Sequence, residues 1–231
     1  MSEPGVYRQL RFEAPEGAAD LFLVRHGESE AAVEGQPFPL VEGHGDPALS
    51  ANGRGQAERV AERLSETKID AIYVTSLRRT AETAAPLASR LGLTTMMERD
   101  LREVHLGEWE GGIFRRKVLE QDPIAVRMTE EQRWDVIPGA EPAATFAGRV
   151  RGAVQRIARA HPDQRIAVFA HGGTIGEILA QATGSRPFAF SGADNGSISQ
   201  LVITPQRWIL RRFNDTAHLE SGFSERPQPL T

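Results

Sequence analysis

Leu21-Phe22-Leu23-Val24-Arg25-His26-Gly27 is the stretch that decides how this chain is read. A short, continuous apolar run ends in an arginine, a histidine and a glycine. Such a run marks a strand buried on both faces of a sheet. The pattern returns as Ile166-Ala167-Val168-Phe169-Ala170, followed by His171-Gly172-Gly173. Each histidine is therefore expected at the carboxyl end of a central strand, where open α/β sheets hold their ligands. The adjoining glycines let a ligand approach the backbone. Two histidines and an arginine at neighbouring strand ends make an anion site with a candidate nucleophile in it.

Working outward, the rest of the chain alternates strands with helices. A loop rich in Gly and Pro, Glu28 to Leu49, leads to Ser50, which suits the cap of a helix with Ala57, Val60, Ala61 and Leu64 on one face. Ile69 to Val74 reads as a strand, and Thr75 or Ser76 as the cap of a second helix, in which Pro86 argues a kink or a short first segment. Leu93 to Met97 reads as a strand towards the sheet edge. Glu108 to Thr145 has no regular pattern and is expected to form a lid-like insertion. A helix from about Thr145 to Ala160 precedes the strand before His171, and another follows from Thr174. Ser197 to Ile203 and Trp208 to Phe213 close the sheet as a hairpin. The fold class is α/β: three α/β/α layers with a mainly parallel central sheet.

Composition narrows the function. The 231 residues suit one sizeable domain, set between an N-terminal extension (1–19) and a tail (221–231) expected to be flexible. The domain would cover 20–220 and carry the insertion 108–145. A net charge of −4 supplies no bulk field for nucleic acid or an anionic membrane. Any anion site must then be a local cluster of arginines. Cysteine is absent, which excludes disulfides, thiolate metal sites and a cysteine nucleophile. The charged N-terminal stretch is neither a secretory signal nor an anchor, so a soluble cytoplasmic protein is expected.

Arg79 falls in the first turn of the helix after Val74, which brings a third basic group to the same sheet edge, beside an anion-favouring helix N-terminus. Arg25 and Arg79 suit a bidentate clamp on a phosphoryl group. Leu101-Arg102-Glu103 offers Glu103 as a proton carrier on a loop.

On these segments the chain resembles the histidine phosphatase superfamily, also called phosphoglycerate mutase-like. The resemblance runs from Leu21 to about Leu219. It is carried by Val24-Arg25-His26-Gly27-Glu28-Ser29, Asp46-Pro47-Ala48-Leu49-Ser50, Ser76-Leu77-Arg78-Arg79 with Thr83-Ala84, and Leu101-Arg102-Glu103. Trp109-Glu110-Gly111, Pro138-Gly139-Ala140-Glu141, Ala170-His171-Gly172-Gly173, Asn195-Gly196-Ser197 and Phe213 to Leu219 complete it. The register to Thr83-Ala84 selects Arg79 over Arg78 as the clamp.

The resemblance implies a phosphohistidine mechanism. His26 attacks phosphorus in its neutral form. Arg25, Arg79 and His171 hold the equatorial oxygens, with Gly172 and Ser29 also binding substrate. Glu103 protonates the leaving oxygen and later deprotonates the attacking water. Neighbouring arginines favour an ionised Glu103, whereas a general acid must start protonated, and the two demands conflict. No metal and no cofactor is implied. The partner is a small phosphorylated substrate; the oligomeric state is left open by the sequence, a homodimer being the commonest assembly.

Two features point to a phosphatase rather than a mutase. Ala32 stands where the mutases carry asparagine, and Phe114-Arg115-Arg116-Lys117 replaces their Trp-Arg-Arg element. That basic trio either meets a substrate carboxylate or second phosphate, or lies on an exposed amphipathic helix. A non-catalytic phospho-ligand module on the same fold is the rival from another class. The intact set Arg25, His26, Arg79, Glu103 and His171 argues against it. His44 is expected to face solvent, His161 to end a helix, and His218 and Asn214 to serve structural hydrogen bonds. Trp109 and Trp134 are candidates for the wall of the pocket.

Overall fold

In the computed structural model, which describes residues 7–219, the first apolar run forms β1 (Ala19–Arg25) in the interior of a six-stranded sheet. On one side β1 pairs in parallel with β6 (Arg165–Ala170); on the other it pairs antiparallel with β7 (Ile198–Ile203). The full order is β5-β4-β6-β1-β7-β8, with β4 at Ala71–Val74, β5 at Thr95–Met97 and β8 at Trp208–Asp215. The β5-β4-β6-β1 half is parallel, and β7 and β8 close it as an antiparallel hairpin.

The period-two alternation of the central strands makes the three layers. Leu21, Leu23, Ile166, Val168 and Ala170 face α5 (Ala143–Ala160) and α6 (Gly172–Thr183), packing on Phe146, Val150, Val154, Ile175 and Leu179. Val24, Ala167 and Phe169 face the other way, onto α1 (Ala51–Ser65) and α2 (Arg78–Leu91) through Val60, Leu64, Ala84 and Leu87. Among the described residues no helix is long and apolar enough to cross a membrane.

Local differences from the sequence reading have identifiable causes. Sheet pairing starts at Ala71 rather than Ile69. After α2, Gly92 adopts φ +65° and Leu93 N donates to Ala88 O, a helix-ending turn that delays β5 to Thr95. Helix α2 runs unbroken past Pro86. Its N-cap is Leu77, not Thr75 or Ser76, and Leu77 makes no side-chain cap bond; instead Asp46 Oδ1 takes the Arg78 N–H at 2.8 Å. Ser50 does cap α1, accepting from Gly53 N at 3.0 Å. The loop before it contains a small hairpin, β2 (Leu40–Val41) with β3 (His44–Gly45).

The span 108–145 is more ordered than its sequence suggests. It contains α3 (Ile113–Leu119) and α4 (Pro123–Glu131), which share a small core of Trp109, Phe114, Ala125, Met128, Val136 and Ile137. Gly111-Gly112 and Pro123 cut these helices too short for a periodic signal. The tail 221–231 lies outside the described residues.

Candidate active site

Parallel pairing of β1 with β6 sets Arg25 level with Ala170, so the two histidines that follow are brought together. Their ring centroids are 5.2 Å apart at an interplanar angle of 62°. The His26 backbone is tied down by its own N–H on Ala170 O and by Asn195 Nδ2 on its carbonyl. Gly27 N donates to Thr83 Oγ1 at 3.0 Å. A side chain at Gly27 would force the backbone to shift, since a Cβ there would lie 2.5 Å from Gly53 O.

The His26 ring is held in one tautomer. Nδ1–H donates to Gly27 O at 2.8 Å, and Nε2 accepts from Arg79 Nε at 3.2 Å. Burial, then Arg79 and Arg25, pull its pKa well below the ordinary histidine value. The ring is neutral at physiological pH and presents an Nε2 lone pair among cations. Arg79 also donates to Gly45 O at 2.9 Å and pairs with Asp46 at 3.8 Å. Burial lowers its pKa to about 10, which still leaves it charged. Arg25 is buried and donates to Ala193 O.

His171 is fully buried. Its Nε2 meets Thr75 Oγ1 at 3.0 Å, while Nδ1 has no protein partner. Burial, then Arg79 and His26, hold its pKa well below the ordinary value. Glu103 reaches the first turn of α6. Its Oε2 accepts from Gly173 N at 2.9 Å, and Oε1 from Thr174 N at 3.0 Å, Val104 N at 3.0 Å and Thr174 Oγ1 at 3.2 Å.

Arg25, His26, Arg79, Glu103 and Gly172 line one cavity of about 130 Å³. His171 and Ser29 do not line it. Ser29 Oγ instead accepts from Arg115 Nη2 at 2.6 Å, and it is Arg115 that reaches the cavity. The basic trio is thus divided: Arg115 turns inward over the Phe38 ring, whereas Arg116 pairs with Glu34 and Lys117 with Asp122. Phe38, Leu106, Trp109, Phe114 and Trp134 make the apolar wall.

His44 corrects the sequence reading. It is only 6% exposed and also lines the cavity, because β3 lays it against His105 at 5.2 Å. Thr75 was visible in the sequence only as a helix cap. His161 ends α5 as expected and meets the Tyr73 hydroxyl at 3.0 Å. His218 bonds Gly196 O, and Asn214 bonds Asp194 through both ends of its amide. Arg78 is an exposed partner of Glu82. Among the described residues no three His, Asp or Glu side chains converge as a metal-holding set.

Residues 21–216 match the model of the histidine phosphatase superfamily, branch 1. The chain belongs to that family.

This histidine phosphatase is 37% identical over 213 residues to phosphoglycerate mutase-like protein 4 of Arabidopsis thaliana, covering 89% of each chain. A metal-independent phosphoserine phosphatase of the same plant is 29% identical over 212 residues, 90% of this chain and 86% of the plant protein. The native structure of a mycobacterial glucosyl-3-phosphoglycerate phosphatase superposes with a TM-score of 0.72 at 28% identity, over 84% of this chain and 98% of that one. Phosphohistidine chemistry is general to the family, and the chain is a phosphatase enzyme.

Proposed function

We propose that this enzyme hydrolyses a compact phosphorylated organic acid, without a metal, through a phosphohistidine on His26. The observation that carries the reading is the bond from Arg79 Nε to His26 Nε2. Nδ1 carries the ring proton on Gly27 O, so Nε2 is the acceptor, and it sits where a guanidinium can also hold a phosphoryl oxygen. In the first step Nε2 attacks phosphorus in line, and the bond to the leaving oxygen breaks. Arg25 and Arg79 neutralise the equatorial oxygens, the uncharged His171 ring offers them a hydrogen bond, and Glu103 gives the leaving oxygen its proton. In the second step Glu103 takes a proton from water as that water displaces His26, releasing inorganic phosphate.

The substrate class rests on Arg115. It lines the cavity beside Arg25 and Arg79 but is held by Ser29 Oγ and Glu30 O rather than by the nucleophile. A carboxylate near the phosphate ester would meet it. Two of the relatives are named for substrates, phosphoserine and glucosyl-3-phosphoglycerate, that carry such a carboxylate. The segment 108–145 acts as the cover over the leaving-group side of a single domain spanning 20–220. Net charge of −4 and the lack of cysteine support a cytoplasmic enzyme of small metabolites.

The test is phosphate release from a panel of phosphorylated metabolites in the presence of chelator. Turnover of the carboxylate-bearing members, with a base-stable, acid-labile phosphoryl group on His26, is the expected result. Activity that needs added magnesium, or that survives in His26→Ala, overturns the reading. Because one relative is named mutase-like, 3-phosphoglycerate is also followed for conversion to its 2-isomer. Isomerisation outpacing hydrolysis would favour phosphoryl transfer.

A further inference from the structure

Glu103 stands on a segment with no regular structure of its own. Between the 3-10 turns Arg99–Leu101 and Gly107–Trp109 the chain makes neither helix nor strand. Such a segment is ordinarily among the first parts of a protein to open. A proton donor there would wander, and misplacement by about 1 Å costs on the order of 10²-fold in rate.

One side chain from the neighbouring helix α5 prevents this. Arg149 rises from α5 and uses every N–H of its guanidinium. Nη1 donates to Asp100 O at 2.7 Å and to Arg102 O at 2.8 Å; Nη2 donates to Glu103 O at 2.8 Å. The other two donors, Nε and the second hydrogen of Nη2, form a two-pronged pair with Glu141, both at 2.7 Å. Glu141 then grips the far side of the segment, its backbone N–H donating to His105 O at 2.9 Å. Both side chains are nearly enclosed, at 13% and 12% exposure. Helix α5 is itself fixed by buried Phe146, Val150 and Val154. A planar five-donor fork suits this task, and an ammonium does not.

Resting on the reading of Glu103 as the proton donor, we infer that Arg149 and Glu141 are positioning residues for that donor. They fix the backbone on both sides of Glu103, so that its carboxylate stays in register with Gly173 and Thr174. Neither residue lines the cavity. Their effect should therefore appear only in the step that needs a proton.

Leaving groups separate this role from a merely structural one. An alkoxide depends on the donated proton, whereas nitrophenolate departs without it. Wild type, Glu103→Gln, Arg149→Lys and Glu141→Gln are compared on phosphoserine and on p-nitrophenyl phosphate, with the first turnover resolved and folding checked by circular dichroism. Arg149→Lys keeps the charge but loses the fork; Glu141→Gln keeps the shape but loses the charge, and decides the matter if Arg149→Lys fails to fold. The expected result is ~10–100-fold slower phosphoserine turnover in the Arg149 and Glu141 variants. The nitrophenolate burst should stay within about threefold of wild type, since its transfer step omits the proton. Equal slowing of both substrates, or of neither, in a folded variant overturns the inference. A Glu103→Gln variant that shows no such split overturns the proton-donor reading itself, and the two failures are told apart within one panel.

Discussion

Arg79 donates its Nε–H to Nε2 of His26 at 3.2 Å, so the cation nearest the nucleophile also marks the nitrogen that attacks. A lysine at this position would keep the charge and lose the directed bond together with the planar fork. Arg79→Lys is expected to lower kcat by ~10²–10³-fold, the usual cost of one lost transition-state donor. Stopped turnover of p-nitrophenyl phosphate measures it; a variant within threefold of wild type would show that charge alone suffices.

Thr75 is expected to set the protonation of His171. The Thr80 hydroxyl spends its proton on Leu77 O at 2.8 Å and accepts from Thr75 N at 3.1 Å. The one proton of the Thr75 hydroxyl then has two acceptors within reach, Thr80 Oγ1 at 3.1 Å and His171 Nε2 at 3.0 Å; given to Nε2, it places the ring proton on the unpartnered Nδ1. Nδ1–H is then available to a phosphoryl oxygen. Nitrogen-15 shifts of the His171 ring should report an Nδ1–H tautomer in wild type and in Thr75→Ser, with that preference lost in Thr75→Val. An Nε2–H tautomer in wild type would refute the assignment.

Stability should fall on the acid side. Both His26 and His171 have folded pKa values well below the unfolded value of about 6.5, so unfolding takes up protons below that pH. Their contribution is complete above pH ~6.5 and is lost as pH falls towards the folded values. Each ring adds a slope of about 1.4 kcal/mol per pH unit in that window. Urea unfolding from pH 7.5 to 5.5 should therefore give a shallower profile for His171→Gln. An unchanged slope would mean that His171 titrates in the folded protein as it does in the unfolded chain.

Arg115 should discriminate by substrate. Loss of a charged hydrogen bond is worth roughly 1.5–3 kcal/mol, so Arg115→Met should raise KM for phosphoserine by about 10–100-fold. The KM for p-nitrophenyl phosphate, which has no carboxylate, should move by less than about threefold on the same reasoning. Parallel increases for both would move Arg115 to the phosphoryl group.

The architecture and the catalytic cluster could be read in the sequence because both rest on short-range pattern. The apolar runs at Leu21–Val24 and Ile166–Ala170 announce central strands; His171 follows its run directly, and only Arg25 separates His26 from its own. What escaped depends on contacts between distant parts of the chain. His44 is covered by His105, and the start of α2 is capped by Asp46 from 32 positions earlier, so no local pattern records either. The fork of Arg149 draws on carbonyls, which every residue type possesses alike. Within Phe114-Arg115-Arg116-Lys117, only the short α3 and its neighbours decide that Arg115 turns inward.

The cavity has two walls of separate origin. Arg25, His26 and Arg79 hang from β1 and α2, whereas Trp109, Phe114 and Trp134 belong to, or pack on, the small cluster built within residues 109–137. Substitutions in that cluster can repaint the face that meets the organic part of a substrate while leaving the hydrolytic apparatus untouched. Gene duplication followed by drift in this one patch is therefore a short route from one phosphorylated metabolite to another. For the engineer, the same patch is the place to begin a library.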